Sequence, residues 1–188
     1  MSMKRSALFY LHQRSGARFI EHQGWELAAS FVPPEQEAEQ VRKSVGLADL
    51  SHLLKFDLRK QPQQRGWRLG ANHYLMMGEP PLDSPPGAVD VSSEYTSLRL
   101  VGPRSSDVLG KLTSLNVSAV ALPNLSCAQA SLAHVHTMIL HEDIGLIPAF
   151  HLLVSREYGE AVWESIVHAG HEFQLRPFGL QALAQLHS

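Results

Sequence analysis

Pro33-Pro-Glu-Gln-Glu-Ala-Glu-Gln-Val-Arg-Lys-Ser-Val-Gly-Leu-Ala-Asp-Leu-Ser-His-Leu-Leu-Lys-Phe-Asp-Leu58 takes the chain from a helix into a strand. Prolines at the start fit the first helical turn, where an N–H has no partner to lose. Glu35 and Glu37 sit at the positive end of the helix dipole, Arg42 and Lys43 at the negative end. The pattern predicts a helix over 35–45, with Gly46 as its C-cap. The apolar run at 53–58 then reads as a strand. Between them, Asp49-Leu-Ser-His52 is expected to form a turn in which Asp49 and Ser51 bond nearby backbone. The competing reading has His52 and Leu53 lining a pocket at the strand's entrance.

Beyond this stretch, residues 67–69 and 74–77 predict a hairpin around Gly70-Ala-Asn72, after a polar run at 60–65. Four prolines in residues 79–87 forbid a regular element there. Strands are expected at 88–91, 98–101 and 149–154, with one or two more within 128–140 and a short one near Phe173. Helices are expected at 104–112, at 158–168 with Val162, Trp163 and Ile166 inward and Gly170 as cap, and at 179–186. The order predicts an α+β fold of ferredoxin-like type, with helices packed on one face of mainly antiparallel sheets. Residues 1–87 and 88–188 are expected to form two halves of one compact unit.

The 188 residues suffice for a core without staples. Cys127 is the sole cysteine, which excludes a disulfide framework and any Cys-based zinc site. A net charge of −2 argues against nucleic acid as a partner, since that binding relies on a basic patch. No apolar run is long enough to span a membrane, and His12, Gln13 and Arg14 cut short the apolar start, so a cytoplasmic protein is expected. Phosphate-cradling glycine loops and a Gly-x-Ser-x-Gly elbow are lacking. His134-Val-His136 on a strand would put two imidazoles on one face, near His141, Glu142 and Asp143. Nothing fixes a third ligand, so no metal is expected. Asp90-Val-Ser-Ser93 reads as a second structural turn like that at Asp49.

Several segments, in order, resemble the folate-binding aminomethyltransferase family, which includes the glycine cleavage T-protein. They are Leu8-Phe-Tyr-Leu-His12, Gly16-Ala-Arg18, Gly24-Trp-Glu-Leu27 and Val41-Arg-Lys-Ser-Val-Gly-Leu-Ala-Asp-Leu-Ser-His52. Asp90-Val-Ser, Leu98-Arg-Leu-Val-Gly-Pro103, Phe150-His-Leu-Leu-Val154 and Leu175-Arg-Pro-Phe-Gly-Leu180 continue the match. The middle, Trp67-Arg-Leu-Gly-Ala-Asn-His-Tyr-Leu-Met-Met-Gly78, is closer to the gamma subunit of sarcosine oxidase. The resemblance implies the family's folate-binding domain, without its C-terminal barrel domain.

It also implies where a ligand would sit. The transferases' carboxylate after the Gly-Pro helix falls on Asn116, which hydrogen-bonds but cannot act as a base. The family's methionine after Ser-His is Leu53, an apolar wall, and Trp25 belongs to the same frame. The family's Gly-Glu-x-Gly-Tyr/Phe-Glu segment supplies a glutamate that recognises the pterin ring, and its two glutamates fall on Ile147 and His151. Glu142 and Asp143 can replace them only if their loop folds back. Cofactor contacts are therefore expected at Leu53, Asn116, His151 and Trp25, and no catalytic residue is expected.

The resemblance thus implies a non-catalytic, ligand-binding subunit rather than an enzyme. Its ligand would be tetrahydrofolate, and its partner a flavin-dependent amine oxidase or dehydrogenase, or a second copy of the chain. An active tetrahydrofolate-dependent aminomethyltransferase is the alternative; it would need Asp90 or Asp49 as replacement acid and a partner to complete the site. A third reading puts an uncharged or aromatic ligand among Leu53, Trp25 and Phe150.

Overall fold

The computed structural model describes residues 3–59 and 66–188. The polar run at 60–65 lies outside them. The chain begins β1 (Lys4–Arg5), α1 (Phe9–Arg14), β2 (Arg18–His22), β3 (Trp25–Ser30), α2 (Pro34–Lys43), β4 (Gly46–Asp49) and β5 (Leu54–Arg59). It continues β6 (Trp67–Gly70), β7 (His73–Gly78), β8 (Val89–Asp90), β9 (Tyr95–Val101) and α3 (Ser105–Gly110). It ends β10 (Ser126–Leu132), β11 (Val135–His141), β12 (Ala149–Ser155), α4 (Gly159–Ala169), β13 (Arg176–Pro177) and α5 (Leu180–Leu186).

Among the described residues the strands form three sheets. The main one has the order β10-β11-β12-β9-β4-β13, antiparallel except for β13 beside β4. A four-stranded sheet, β6-β7-β5-β8, and a small β1-β3-β2 sheet complete the architecture. Strand β4 comes from early in the chain yet lies between β9 and β13, while β8 pairs with β5. The expected hairpin is β6–β7, and the proline-rich residues 79–87 carry no regular element.

Alternation along the main strands sends side chains to two faces. One face carries Leu98 and Leu100 of β9 and Phe150, Leu152 and Val154 of β12. These pack with Val108 and Leu109 of α3, and with Val162, Trp163 and Ile166 of α4. Burying each such side chain contributes about 1.5–3 kcal/mol. The opposite face is covered at one end by the four-stranded sheet, through Leu75, Val91, Met138, Leu140 and Leu153. At the other end α2 and α5 cover it, with Ala38, Val41, Ala182, Ala48, Val101, Ala149 and Phe178 in contact.

Two local expectations need correcting, and one element had none. Gly46 is not a cap: α2 ends at Lys43, and Gly46 already opens β4. A Cβ there would lie 2.5 Å from Val41 Cγ2 and 2.6 Å from Phe178 Cδ1, so close packing rather than a turn demands glycine. Residues 171–173 make a single 3-10 turn, and the strand follows at Arg176–Pro177, where β4 supplies a ladder. The β2–β3 hairpin turns on Gln23 and Gly24, both at positive φ, and had no expectation attached to it.

A buried carboxylate joins these layers. Glu37 of α2 accepts from Phe31 N (2.5 Å), Val32 N (3.0 Å) and Gly179 N (3.0 Å). It ties the end of β3 to the start of α5 and satisfies donors that helix entry leaves unpaired.

Candidate functional site

A polar seam crosses the main sheet between the two apolar clusters on its second face. Residues directly opposite in an antiparallel ladder share a face. Arg99 of β9 stands opposite both Ala48 of β4 and His151 of β12. Both Arg99 and His151 are buried. Arg99 Nη2 donates to the Glu142 carbonyl oxygen at 2.6 Å, and His151 Nε2 lies 3.1 Å from Glu142 Oε2. Arg99 Nη1 and His151 Nδ1 have no hydrogen-bond partner among the described residues. Buried polar atoms are rarely left so.

Glu142 reaches this place because the segment after β11 turns back sharply. Its N–H bonds to Ala149 O at 2.9 Å, and Ile144 and Ile147 exchange two backbone hydrogen bonds at 3.0 Å. Asp143 fastens the turn, its Oδ1 lying 2.8 Å from His141 Nε2 and accepting from Ala149 N at 3.2 Å. His141 Nδ1 donates to Leu122 O at 2.6 Å, and its ring stacks on Phe150. The Glu142 side chain remains partly exposed and borders an open groove of about 480 Å³. Trp67, Met76, Met77, Leu82 and Leu125 supply the groove's apolar walls.

Burial, reinforced by the Arg99 cation, pushes His151 down to about 4, against the pull of Glu142. The hydrogen bond from His151 holds Glu142 below the usual carboxylate range. At neutral pH the imidazole is therefore neutral, its Nε2–H donates to the carboxylate, and Nδ1 keeps a bare lone pair. Burial also lowers Arg99 to about 10 and Lys55 to about 8. Lys55 Nζ donates to Ser51 O (3.1 Å) and Leu53 O (2.7 Å), placing a second buried cation at the seam's border. Of these groups the Glu142 carboxylate borders the groove, while Arg99 and His151 are buried and do not line it.

The family model of the GCVT N-terminal domain matches residues 73–187, more than half of the chain. The chain belongs to this family. Aminomethyltransferase relatives from Geobacillus sp. (strain WCH70) and Geobacillus thermodenitrificans (strain NG80-2) are 26% and 27% identical to it over 227 aligned positions. Each alignment covers 96% of this chain, which spans only 62% of the length of those relatives. The fold is similar to that of the glycine cleavage system aminomethyltransferase T from Bartonella henselae, with TM-score 0.78 and 16% identity. That match covers 99% of this chain and 62% of the other. A chain of the heterotetrameric sarcosine oxidase from Corynebacterium sp. U-96, solved in complex with pyrrole 2-carboxylate, gives TM-score 0.64 and 15% identity. Here 90% of this chain matches 96% of that one, so the two agree in size as well as in fold.

Within this GCVT-family fold, the residues expected at the ligand site separate. His151 lies in the seam, whereas Leu53 is buried in the turn before β5, gives its carbonyl to Lys55 and does not line the groove. Trp25 sits on β3 opposite His22, in the N-terminal hairpin. Asn116 is exposed in the loop after α3, where its Oδ1 accepts from Ser118 N at 3.0 Å. Its neighbour Val117 packs on the α3–α4 side of the sheet, away from His151. Phe150 also faces that side, so it shares no pocket with Leu53 and Trp25. Asp49 and Asp90 make the expected turns: Asp49 accepts from Ser51, and Asp90 from Ser92 N at 2.9 Å.

His134, His136 and His141 do not converge. His134 lies in the β10–β11 turn at positive φ, His136 contacts Gln129, and His141 points into the core. Arg99 and Lys55 had no functional reading attached. Their signal was present in the sequence: a cation inside Leu98-Arg-Leu-Val101, and another beside Leu54 and Phe56, each in an apolar strand. Such a charge is buried only with partners.

Proposed function

We propose that this GCVT-family chain is a ligand-binding subunit that holds a reduced folate against the seam without carrying out the transfer itself. The observation that carries this reading is the Glu142 carboxylate, folded back onto His151 beside two buried and unpartnered nitrogens. The resemblance places one of the family's pterin-recognising acids at His151. In this chain a carboxylate stands against that position from a neighbouring loop. Glu142 would accept from the pterin amide and amine donors. The methionines and Trp67 of the groove suit the flat apolar part of such a ligand.

The non-catalytic reading rests on the acids that could have replaced the family carboxylate. Asp49 is committed to His12 and Ser51, and Asp90 to Ser92. Neither borders the groove. Tetrahydrofolate bound here would be delivered or stored rather than converted. The agreement in size and fold with a sarcosine oxidase chain supports a place beside a flavin-dependent amine oxidase or dehydrogenase.

Calorimetric titration of the whole chain with tetrahydrofolate tests the proposal. Saturable binding is expected, weakened about 10–100-fold in Glu142→Gln, because a hydrogen bond to a charged group contributes about 1.5–3 kcal/mol. The absence of heat at high micromolar ligand would overturn it.

A further inference from the structure

We propose that His22, His52 and Glu79 form a binding site for one late first-row divalent cation, zinc above all, with its fourth position open to water. These residues come from three separate parts of the fold. His22 ends β2 at the tip of the N-terminal hairpin. His52 lies in the turn between β4 and β5, and Glu79 directly follows β7. The β5–β7 ladder pairs Leu54 with Gly78, so the register sets Glu79 beside the 52–53 turn. One ladder therefore fixes two of the donors, and the hairpin tip brings the third.

His52 Nε2 lies 3.2 Å from Glu79 Oε1, and His22 Nε2 lies 3.5 Å from Glu79 Oε2. All three donor atoms fall within 4.8 Å of one another. Charge-assisted hydrogen bonds between nitrogen and carboxylate are shorter, about 2.7–2.9 Å. Zinc bonds of about 2.0–2.2 Å in tetrahedral geometry separate neighbouring donors by roughly 3.3–3.5 Å, close to these spacings. The two rings stand edge to face, 5.7 Å apart at 89°, so they do not stack on one another.

The His52 ring is wholly buried and its Nδ1 has no hydrogen-bond partner among the described residues. In the metal-free chain Nε2 carries the proton it donates to Glu79 Oε1, and a cation binding there would move that proton to Nδ1. Two neutral imidazoles with one carboxylate form the donor set of zinc sites that keep an open position. The side facing solvent is that of Glu79, which is exposed, so water has access to the fourth position. A bound ion would staple the proline-rich loop to the hairpin. Neither Glu142 nor His151 takes part, so the site is independent of the folate proposal.

Titration of the metal-free chain with zinc chloride, followed by calorimetry, tests this, with cobalt(II) as the spectroscopic probe. One tight equivalent is expected, giving the visible bands of four-coordinate cobalt. His22→Ala and Glu79→Gln alter exposed or half-exposed side chains and should leave the fold intact. Each should weaken that equivalent about a hundredfold or more, since losing even an outer partner costs about 10–100-fold. His136→Ala, an exposed histidine elsewhere, should bind as the native chain does. Weak binding at several sites, or a tight equivalent retained in both His22→Ala and Glu79→Gln, would overturn the proposal.

Discussion

Lowering the pH from 7 to 5 should destabilise this protein through His151 in particular. The unfolded chain takes up a proton at this residue near 6.5, whereas the folded chain resists until about 4. Between these values the unfolded state binds more protons, so stability rises with pH and is lost as the pH falls. The full gap is worth about 3 kcal/mol at 1.36 kcal/mol per tenfold, and about 2 kcal/mol of it is lost by pH 5. That is a sizeable part of the 5–15 kcal/mol typical of a domain. Urea unfolding at both pH values would measure it, with His151→Gln as reference, because other histidines titrate in the same range. Glutamine keeps an N–H to offer Glu142 but takes up no proton. The native chain should lose about 2 kcal/mol more than the variant between pH 7 and 5. The loss follows from the ring being buried beside a guanidinium with only one carboxylate opposing it. Equal losses in the two chains, to within half a kcal/mol, would refute that reasoning. So would His151 ring resonances that titrate near 6.5 in the folded protein.

The remaining predictions concern the elements that hold the site. Glu37→Ala should cost about 3–5 kcal/mol in denaturant unfolding, because it strands the N–H groups of Phe31, Val32 and Gly179. Glu37→Gln should cost about half as much, since its one oxygen can still accept from Phe31 and Val32. Gly179→Ala should lower stability by about 3 kcal/mol or more, since the new Cβ would meet the Ala29 carbonyl at 2.1 Å. Gly110→Ala, with open space around its Cβ position, should be neutral or stabilising by up to about 1 kcal/mol on the same assay. Lys55 works in the opposite pH range from His151. Its folded-state value near 8 lies below 10.5, so the unfolded chain holds the extra proton and stability rises as the pH passes upward through this window. A gain of about 1 kcal/mol between pH 7 and 9 is expected, and Lys55→Met should abolish the gain.

Much of the fold was legible because local signals agreed with the tertiary environment. The proline entry and charge order of α2 and the apolar spacing of Val162, Trp163 and Ile166 in α4 agree with the structure, and those three residues face the core. Gly46 was misread because a glycine after a helix has two physical causes. A left-handed cap is visible in sequence, but a 2.5 Å approach of Val41 is visible only in packing. The N-terminal hairpin escaped because Gln23, a non-glycine residue, supplies part of its positive-φ turn. At the site, His151 was legible through resemblance. Its link to Arg99 depends on the ladder register between β9 and β12, which no local pattern encodes.

The most instructive residue is Glu142. Read along the sequence, the pterin-recognising acids are lost, because their positions hold Ile147 and His151. Read in space, a carboxylate stands 3.1 Å from the His151 ring, delivered by a tight turn that Asp143 and the Ile144–Ile147 bonds hold in place. The displaced acid differs from one on the strand. Part of its hydrogen-bonding capacity is already taken by a neutral imidazole, and it belongs to a turn rather than to a ladder. A ligand contacting Glu142 would therefore feel any loosening of that turn. Asp143→Ala removes the acceptor for Ala149 N and the partner of His141 without touching the groove itself. If Glu142 acts from that turn, Asp143→Ala should weaken tetrahydrofolate binding by about tenfold while Glu142 and His151 remain unaltered in sequence. Affinity unchanged in Asp143→Ala, measured by calorimetry at pH 7, would mean that the turn does not position the carboxylate for the ligand.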